Sequence, residues 1–138
     1  MTNRKITVCK EYKFEAAHRL TGYGGPCENL HGHSYKVQVT LGAPDHWIKE
    51  NDYMVMDFSL IDEIVEDLID DLDHSYLNDT LKRDLPGDGI PTAELIAGIF
   101  FDHVDESLSD INITTEAYVE RIRVYETAKC YAEVVCDE

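Results

Sequence analysis

Cys27-Glu28-Asn29-Leu30-His31-Gly32-His33-Ser34-Tyr35 leads from a loop into a strand. Past it, Val37, Val39 and Leu41 continue the parity of His31, His33 and Tyr35. Successive strand side chains alternate faces, so both imidazoles leave one side of the backbone, with Cα atoms roughly 6.5–7 Å apart. Two ring nitrogens at that spacing can converge on a single ion at about 2.0–2.1 Å, the Zn–N distance. Cys27 stands four residues before His31, at the end of a loop carrying Gly22, Gly24, Gly25 and Pro26. A thiol beside a cation loses its proton more readily than a free one.

A second strand precedes this one. Ile6, Val8, Tyr12, Phe14 and Ala16 share a parity over residues 5–18, broken by Lys10, and His18 ends the series. If this strand pairs antiparallel with the strand over 31–42, its end lies beside the start of its neighbour. His18 then meets His31 and His33. Three histidines are the ligand count of a catalytic zinc, with a fourth position left for water or substrate. Cys27 retains three readings: a fourth ligand closing a structural site, a reactive thiolate, or a small buried apolar residue. The cupin pattern also uses His-x-His, but with glutamate four or five residues beyond the second histidine. Val37 and Gln38 stand there, which excludes it.

Residues 43–56 read as a connector. Asp57 or Ser59 caps a helix over 59–72, whose Leu60, Ile61, Ile64, Val65, Leu68, Ile69 and Leu72 form one apolar stripe. Asp70, Asp71 and Asp73 crowd its C-terminal end, where the helix dipole disfavours carboxylates. Something other than helix stability therefore holds at least one of them. Asp73 directly precedes His74, which is either a proton-relay partner or a cation at a helix C-terminus. A polar loop over 78–91 contains Pro86, Gly87, Gly89 and Pro91. Thr92 then caps a second helix to about residue 107, with Glu94 in its first turn. Tyr118, Ile122, Val124 and Glu126 share one parity, whereas Ile111, Ile113, Ala117 and Val119 share the other, so a bulge is expected near 119–121. A tight connection at 127–129 leads to a last strand with Cys130, Ala132, Val134 and Cys136 on one face. Glu126 lies on an otherwise packed parity. It needs a partner there: an ion pair with Arg19, Arg123 or Lys129, or a ligand offering two N–H donors.

The resulting order, β-β-α-α-β-β, describes one α+β domain over 1–138: a four-stranded antiparallel sheet with two helices on one face. Open sheet edges and a second apolar face favour a homo-oligomer joined through its sheets. The 138 residues, 43% of them apolar, suit one domain with a core of its own. A formal charge of −16 argues against nucleic acid or an anionic membrane as partner. No apolar run reaches the ~20 residues of a membrane span. The N-terminal stretch lacks the apolar core of a secretory signal, and four cysteines show no disulfide-framework spacing. A cytoplasmic protein with reduced thiols is the expectation.

Several motifs in this order resemble the 6-pyruvoyl-tetrahydropterin synthase family, over nearly the whole chain. They are Phe14-Glu15-Ala16-Ala17-His18-Arg19-Leu20, Cys27-x-x-x-His31-Gly32-His33, Met56-Asp57-Phe58, Leu72-Asp73-His74-x-x-Leu77-Asn78, Pro91-Thr92-x-Glu94 and Glu126-Thr127. The bacterial branch that makes 6-carboxytetrahydropterin for the queuosine pathway is the most similar. The resemblance implies the tunnelling fold (T-fold), in which sheets join into an oligomeric barrel, as trimers or dimers of trimers. It implies zinc on His18, His31 and His33, Cys27 as the base, and Asp73 with His74 as a relay that a neighbouring subunit can supply. Glu126 would anchor the pterin, with Thr92 and Glu94 also on the substrate. The substrate would be 7,8-dihydroneopterin triphosphate, releasing triphosphate and acetaldehyde in the carboxy branch and triphosphate alone in the pyruvoyl branch. A hydroxymethyl-forming branch uses a glutamate near the cysteine, and Glu28 stands there. A non-catalytic pterin- or metal-binding relative is the reading from another class. Arg19, Lys36, Arg121, Arg123 and Lys129 are the cations available to a triphosphate.

Overall fold

In the computed structural model, residues 3–22, 24–85, 90–110 and 114–137 are described. Strands β1 (Lys5–His18) and β2 (His31–Pro44) form a long antiparallel pair in which His18 stands opposite His31. Helices α1 (Asp45–Glu50) and α2 (Phe58–Leu72) follow, then a two-residue strand β3 (Ser75–Tyr76) and a single turn α3 (Leu77–Thr80). Helix α4 (Ala93–Asp110) and strands β4 (Tyr118–Thr127) and β5 (Cys130–Val135) complete the chain.

The sheet has five strands, in the order β3-β1-β2-β4-β5, rather than four. The additional strand is Ser75–Tyr76, which runs parallel to Ala16–Ala17 and is too short for any alternation to announce it. Two other elements lay hidden in stretches expected to be connectors. Pro44, with its fixed φ, stands at the N-cap of α1 and turns the end of β2 into that helix. Tyr76 caps α3, whose Leu77 is fully buried. Helix α4 runs three residues past the expected end because Leu108, four residues beyond Val104, stays on the packed side.

Asp57 is the residue that caps α2, its carboxylate accepting from the Ser59 amide at 2.8 Å. Thr92 caps α4 through Oγ1, 3.2 Å from the Leu95 amide. The expected bulge falls at Glu120: Thr40 pairs with Arg121 and Leu41 with Val119, leaving Glu120 between them. Ala117 and Val119 before it, and Ile122 and Val124 after it, all point into the core. Glu120, itself buried, is satisfied by an ion pair with Lys5. Ile111 and Ile113 lie outside the described residues, as do Pro86, Gly87 and Gly89.

The core forms between one face of the sheet and helices α2 and α4. Phe14 stacks on Tyr35 (4.9 Å between centroids) and on Phe100 of α4 (6.2 Å). Lys10, the exception in β1, reaches the Asp62 carboxylate on α2, which also accepts from the Tyr12 hydroxyl at 2.7 Å. Phe100→Ala should therefore lower stability by about 3–5 kcal/mol, the cost of emptying a fully buried aromatic site. Denaturant unfolding would register this as a lower midpoint at unchanged slope.

The other sheet face is not apolar, contrary to expectation. It carries Lys13, Lys36, Gln38, Arg121, Arg123 and Glu133, with Glu133 paired to Arg123 at 2.9 Å and Glu11 to Lys36 at 3.4 Å. The alternate parity that buries the histidines necessarily sends these residues outward. Among the described residues no helix is long and apolar enough to cross a membrane.

Candidate metal centre and adjoining cavity

The β1–β2 register brings the three histidines together. Their ring centroids are 4.5–5.0 Å apart, and one ligand nitrogen from each lies within 4.8 Å of the others. Cys27 is not part of this group, although a thiol in that position would count toward it. His18 is 1% exposed, and His31 and His33 are half-buried.

Backbone carbonyls set the tautomers. Nδ1 of His18 donates to the Pro91 carbonyl at 2.8 Å, and Nδ1 of His31 to the Asn29 carbonyl at 2.7 Å. A carbonyl only accepts, so each Nδ1 bears the proton and each Nε2 offers a lone pair. The two Nε2 atoms face each other at 2.8 Å. A proton shared between them or a bridging cation satisfies a contact this close, and three histidine nitrogens are a donor set that suits zinc. Burial pushes the pKa of His33 down, reinforced by its two histidine neighbours and opposed by the charge of Glu126. The Tyr35 hydroxyl stands 3.2 Å from His18 Nδ1, and burial, with Glu126, pushes its pKa up. Sequence alone does not single out Tyr35 or the two carbonyls. Tyr35 shares the histidine parity, but a tyrosine there reads as core.

Cys27 belongs to a 3-10 turn, Pro26–Glu28, and its carbonyl is pinned by the Leu20 amide at 2.8 Å. The loop before it turns through Gly24 at φ +81°, a region that excludes most side chains, and the Glu28 carboxylate holds the Gly24 amide at 3.1 Å. The Cys27 side chain faces a cavity of about 490 Å³, a size usual for small-ligand sites. Thr92, Glu94, Glu126 and Tyr131 also line it. Glu126 sits where the β4–β5 register shifts between Tyr125 and Thr127, which takes it out of the ladder. Among the described residues it forms none of the ion pairs considered above, since Arg123 goes to Glu133. The histidine group adjoins this cavity: Leu20 follows His18 by two residues, and Thr92 follows the carbonyl that holds His18. Glu28, by contrast, is absent from the described lining.

Asp73 and His74 lie elsewhere in the same chain. His74 borders a separate groove beside Glu15, Ser34 and His33. One Asp73 oxygen accepts from the Glu15 amide at 2.8 Å, and the other meets His74 Nδ1 at 3.0 Å. This is what retains a carboxylate at the end of α2. His74 has φ +57°, uncommon for a residue with a side chain, and its ring is 79% exposed. The hydrogen bond from Glu15, then those from His74, hold the Asp73 carboxyl below its ordinary value of 3.8. A carboxyl depressed in the folded state stabilises above its unfolded pKa and ceases to do so as pH falls through the folded one. The stability gap between the native chain and Asp73→Asn should thus be complete at neutral pH and close below about pH 3.8. Denaturant titrations at stepped pH would measure it, and a gap constant down to pH 2 would contradict the assignment.

The 6-pyruvoyl tetrahydropterin synthase family matches this chain over residues 7–136. A 6-carboxy-5,6,7,8-tetrahydropterin synthase from Haemophilus influenzae is 35% identical, over 91% of this chain and 96% of that protein. One from Aquifex aeolicus is 32% identical, over 94% and 97%. Among solved structures, the Caenorhabditis elegans 6-pyruvoyl tetrahydropterin synthase superposes with a TM-score of 0.77 at 22% identity, covering 99% of this chain and all of that one. That likeness establishes the T-fold. With the family match spanning nearly the entire chain and the fold superposing over its full length, this protein is a member of the 6-pyruvoyl tetrahydropterin synthase family.

Proposed function

We propose that this protein is a zinc-dependent 6-carboxy-5,6,7,8-tetrahydropterin synthase, converting 7,8-dihydroneopterin triphosphate with release of triphosphate and acetaldehyde. The observation that carries the proposal is a three-histidine group adjoining a cavity lined by the Cys27 thiol and the Glu126 carboxylate, with Cys130 and Glu94 also in its wall. The names of the curated relatives support the carboxy product. The position of Glu28, turned to the Gly24 amide, weighs against the hydroxymethyl chemistry.

His18, His31 and His33 would hold zinc, which supplies Lewis acidity toward the substrate's side-chain oxygens. The remaining work falls to the chain's own residues. The Glu126 carboxylate accepts hydrogen bonds from the N–H edge of the pterin and fixes the ring against the Tyr131 wall. The Cys27 sulfur, half-buried at the cavity, takes a proton from the substrate side chain. His74, oriented by Asp73, returns protons. Because His74 borders a different groove from Cys27 within one chain, a neighbouring subunit delivers the pair. The edge of β5 and the part of β1 beyond β3 leave backbone groups unpaired by the sheet, which supports assembly through sheet edges into a trimer or a dimer of trimers. Thr92 and Glu94, also in the cavity lining, complete the substrate contacts. Hydrogens moved from side chain to ring reduce the pterin internally, so no nicotinamide is required. Four free cysteines suit a reducing cytoplasm.

Incubating zinc-loaded protein with dihydroneopterin triphosphate and identifying the products tests this reading. 6-Carboxytetrahydropterin with acetaldehyde is expected. Triphosphate without acetaldehyde would make the enzyme pyruvoyl-forming, and an unchanged substrate would make it a binding relative. Glu126→Gln should weaken pterin binding by roughly tenfold to a hundredfold, the worth of a charged hydrogen-bond partner. Zinc content should not change, as measured by fluorescence titration beside elemental analysis.

A further inference from the structure

The cavity is an unfavourable place for a polyanion. Its two ionisable carboxylates, Glu94 and Glu126, are joined by no lysine or arginine among the described lining residues, and the whole chain carries −16. Of the twelve cations, six are committed to carboxylates or aromatic rings. Arg4, Lys5 and Lys10 pair with Asp45, Glu120 and Asp62. Lys36 and Arg123 lie over the Tyr125 and Tyr131 rings at 4.2 Å on the open sheet face, and Arg121 and Arg123 share Glu133. Two others flank the cavity and form no ion pair among the described residues. Arg19 precedes the lining run Leu20–Gly22, and Lys129 sits in the turn between lining residues Glu126 and Cys130.

Arg19 is held in place by more than its position in the chain. The Asn78 side chain clamps its backbone from both directions, accepting from the Arg19 amide at 2.9 Å and donating to its carbonyl at 3.0 Å. Its Nε donates to the Glu28 carbonyl at 2.9 Å, which fastens the guanidinium to the turn that carries Cys27. The terminal nitrogens, with four N–H donors, are left for an acceptor arriving at the rim. A guanidinium fixed through Nε is preorganised for phosphate oxygens, whereas Lys129 adds a mobile point charge.

We infer that Arg19 and Lys129 form a polyphosphate subsite at the rim, which binds the phosphate tail of the substrate while its ring lies deeper. The inference rests on the function proposed above. Inorganic triphosphate, as inhibitor, and dihydroneopterin without phosphates, as ligand, separate the two. In Arg19→Gln and Lys129→Gln together, KM for the triphosphate substrate and Ki for inorganic triphosphate should both rise by about tenfold or more. The effect on kcat should be smaller, and dihydroneopterin affinity should hold within about twofold. Arg19→Lys should recover part of the loss. Unchanged KM and Ki would overturn the subsite. So would an equal loss for dihydroneopterin, which would make Arg19 only a brace for the Cys27 turn. Native protein yielding no pterin product would instead defeat the proposed reaction, with triphosphate binding still reporting on the rim.

Discussion

Cys27→Ala should cut turnover of dihydroneopterin triphosphate by about 10²–10⁴, the usual worth of a positioned general base. Zinc and pterin should bind as in the native protein. The separation is expected because the thiol faces the cavity and stands outside the histidine group. The mutation should fold, since a half-buried side chain in a surface turn is truncated by one atom while the Leu20-to-Cys27 backbone bond persists. Elemental analysis beside single-turnover kinetics distinguishes the outcomes. Loss of metal together with turnover would make Cys27 a fourth ligand, and turnover retained in full would remove it from the chemistry.

The site was legible from sequence to the degree that strand parity dictates it. Period two placed His18, His31 and His33 on the packed face, and antiparallel pairing placed His18 against His31, as the register has it. The parity switch around residue 120 located the bulge, because a single unpaired residue must reverse the faces. Much of what escaped was set by contacts distant in sequence. Ser75–Tyr76 is a strand only because β1 lies beside it, and nothing in two residues can signal that. The carbonyls of Pro91 and Asn29 orient the imidazoles, yet a carbonyl belongs to every residue alike. The polar open face was misread as apolar because the strand argument attended to the buried parity. The cations at the cavity rim could be named from the sequence but not sorted: pairing of Arg121 and Arg123 with Glu133 depends on the β4–β5 register.

His33→Ala should abolish tight zinc binding, lowering affinity by more than about a hundredfold, since loss of even an outer-shell partner commonly costs 10–100-fold. His33 is the informative position. His18 is 1% exposed and bonded to Pro91, so its removal would empty part of the core and confuse folding with ligation. His33 is half-buried, lies near the end of β2, and has no carbonyl partner among the bonds that orient the other two rings. Zinc held by the proposed triad would favour the folded chain, so adding it should raise the unfolding midpoint of metal-free native protein, by about 2.7 kcal/mol of stability at a hundred times Kd. The same addition should leave His33→Ala unmoved, and turnover should fall with the metal. An unfolding midpoint in the native protein that is indifferent to zinc would show that the three rings are packed for another reason.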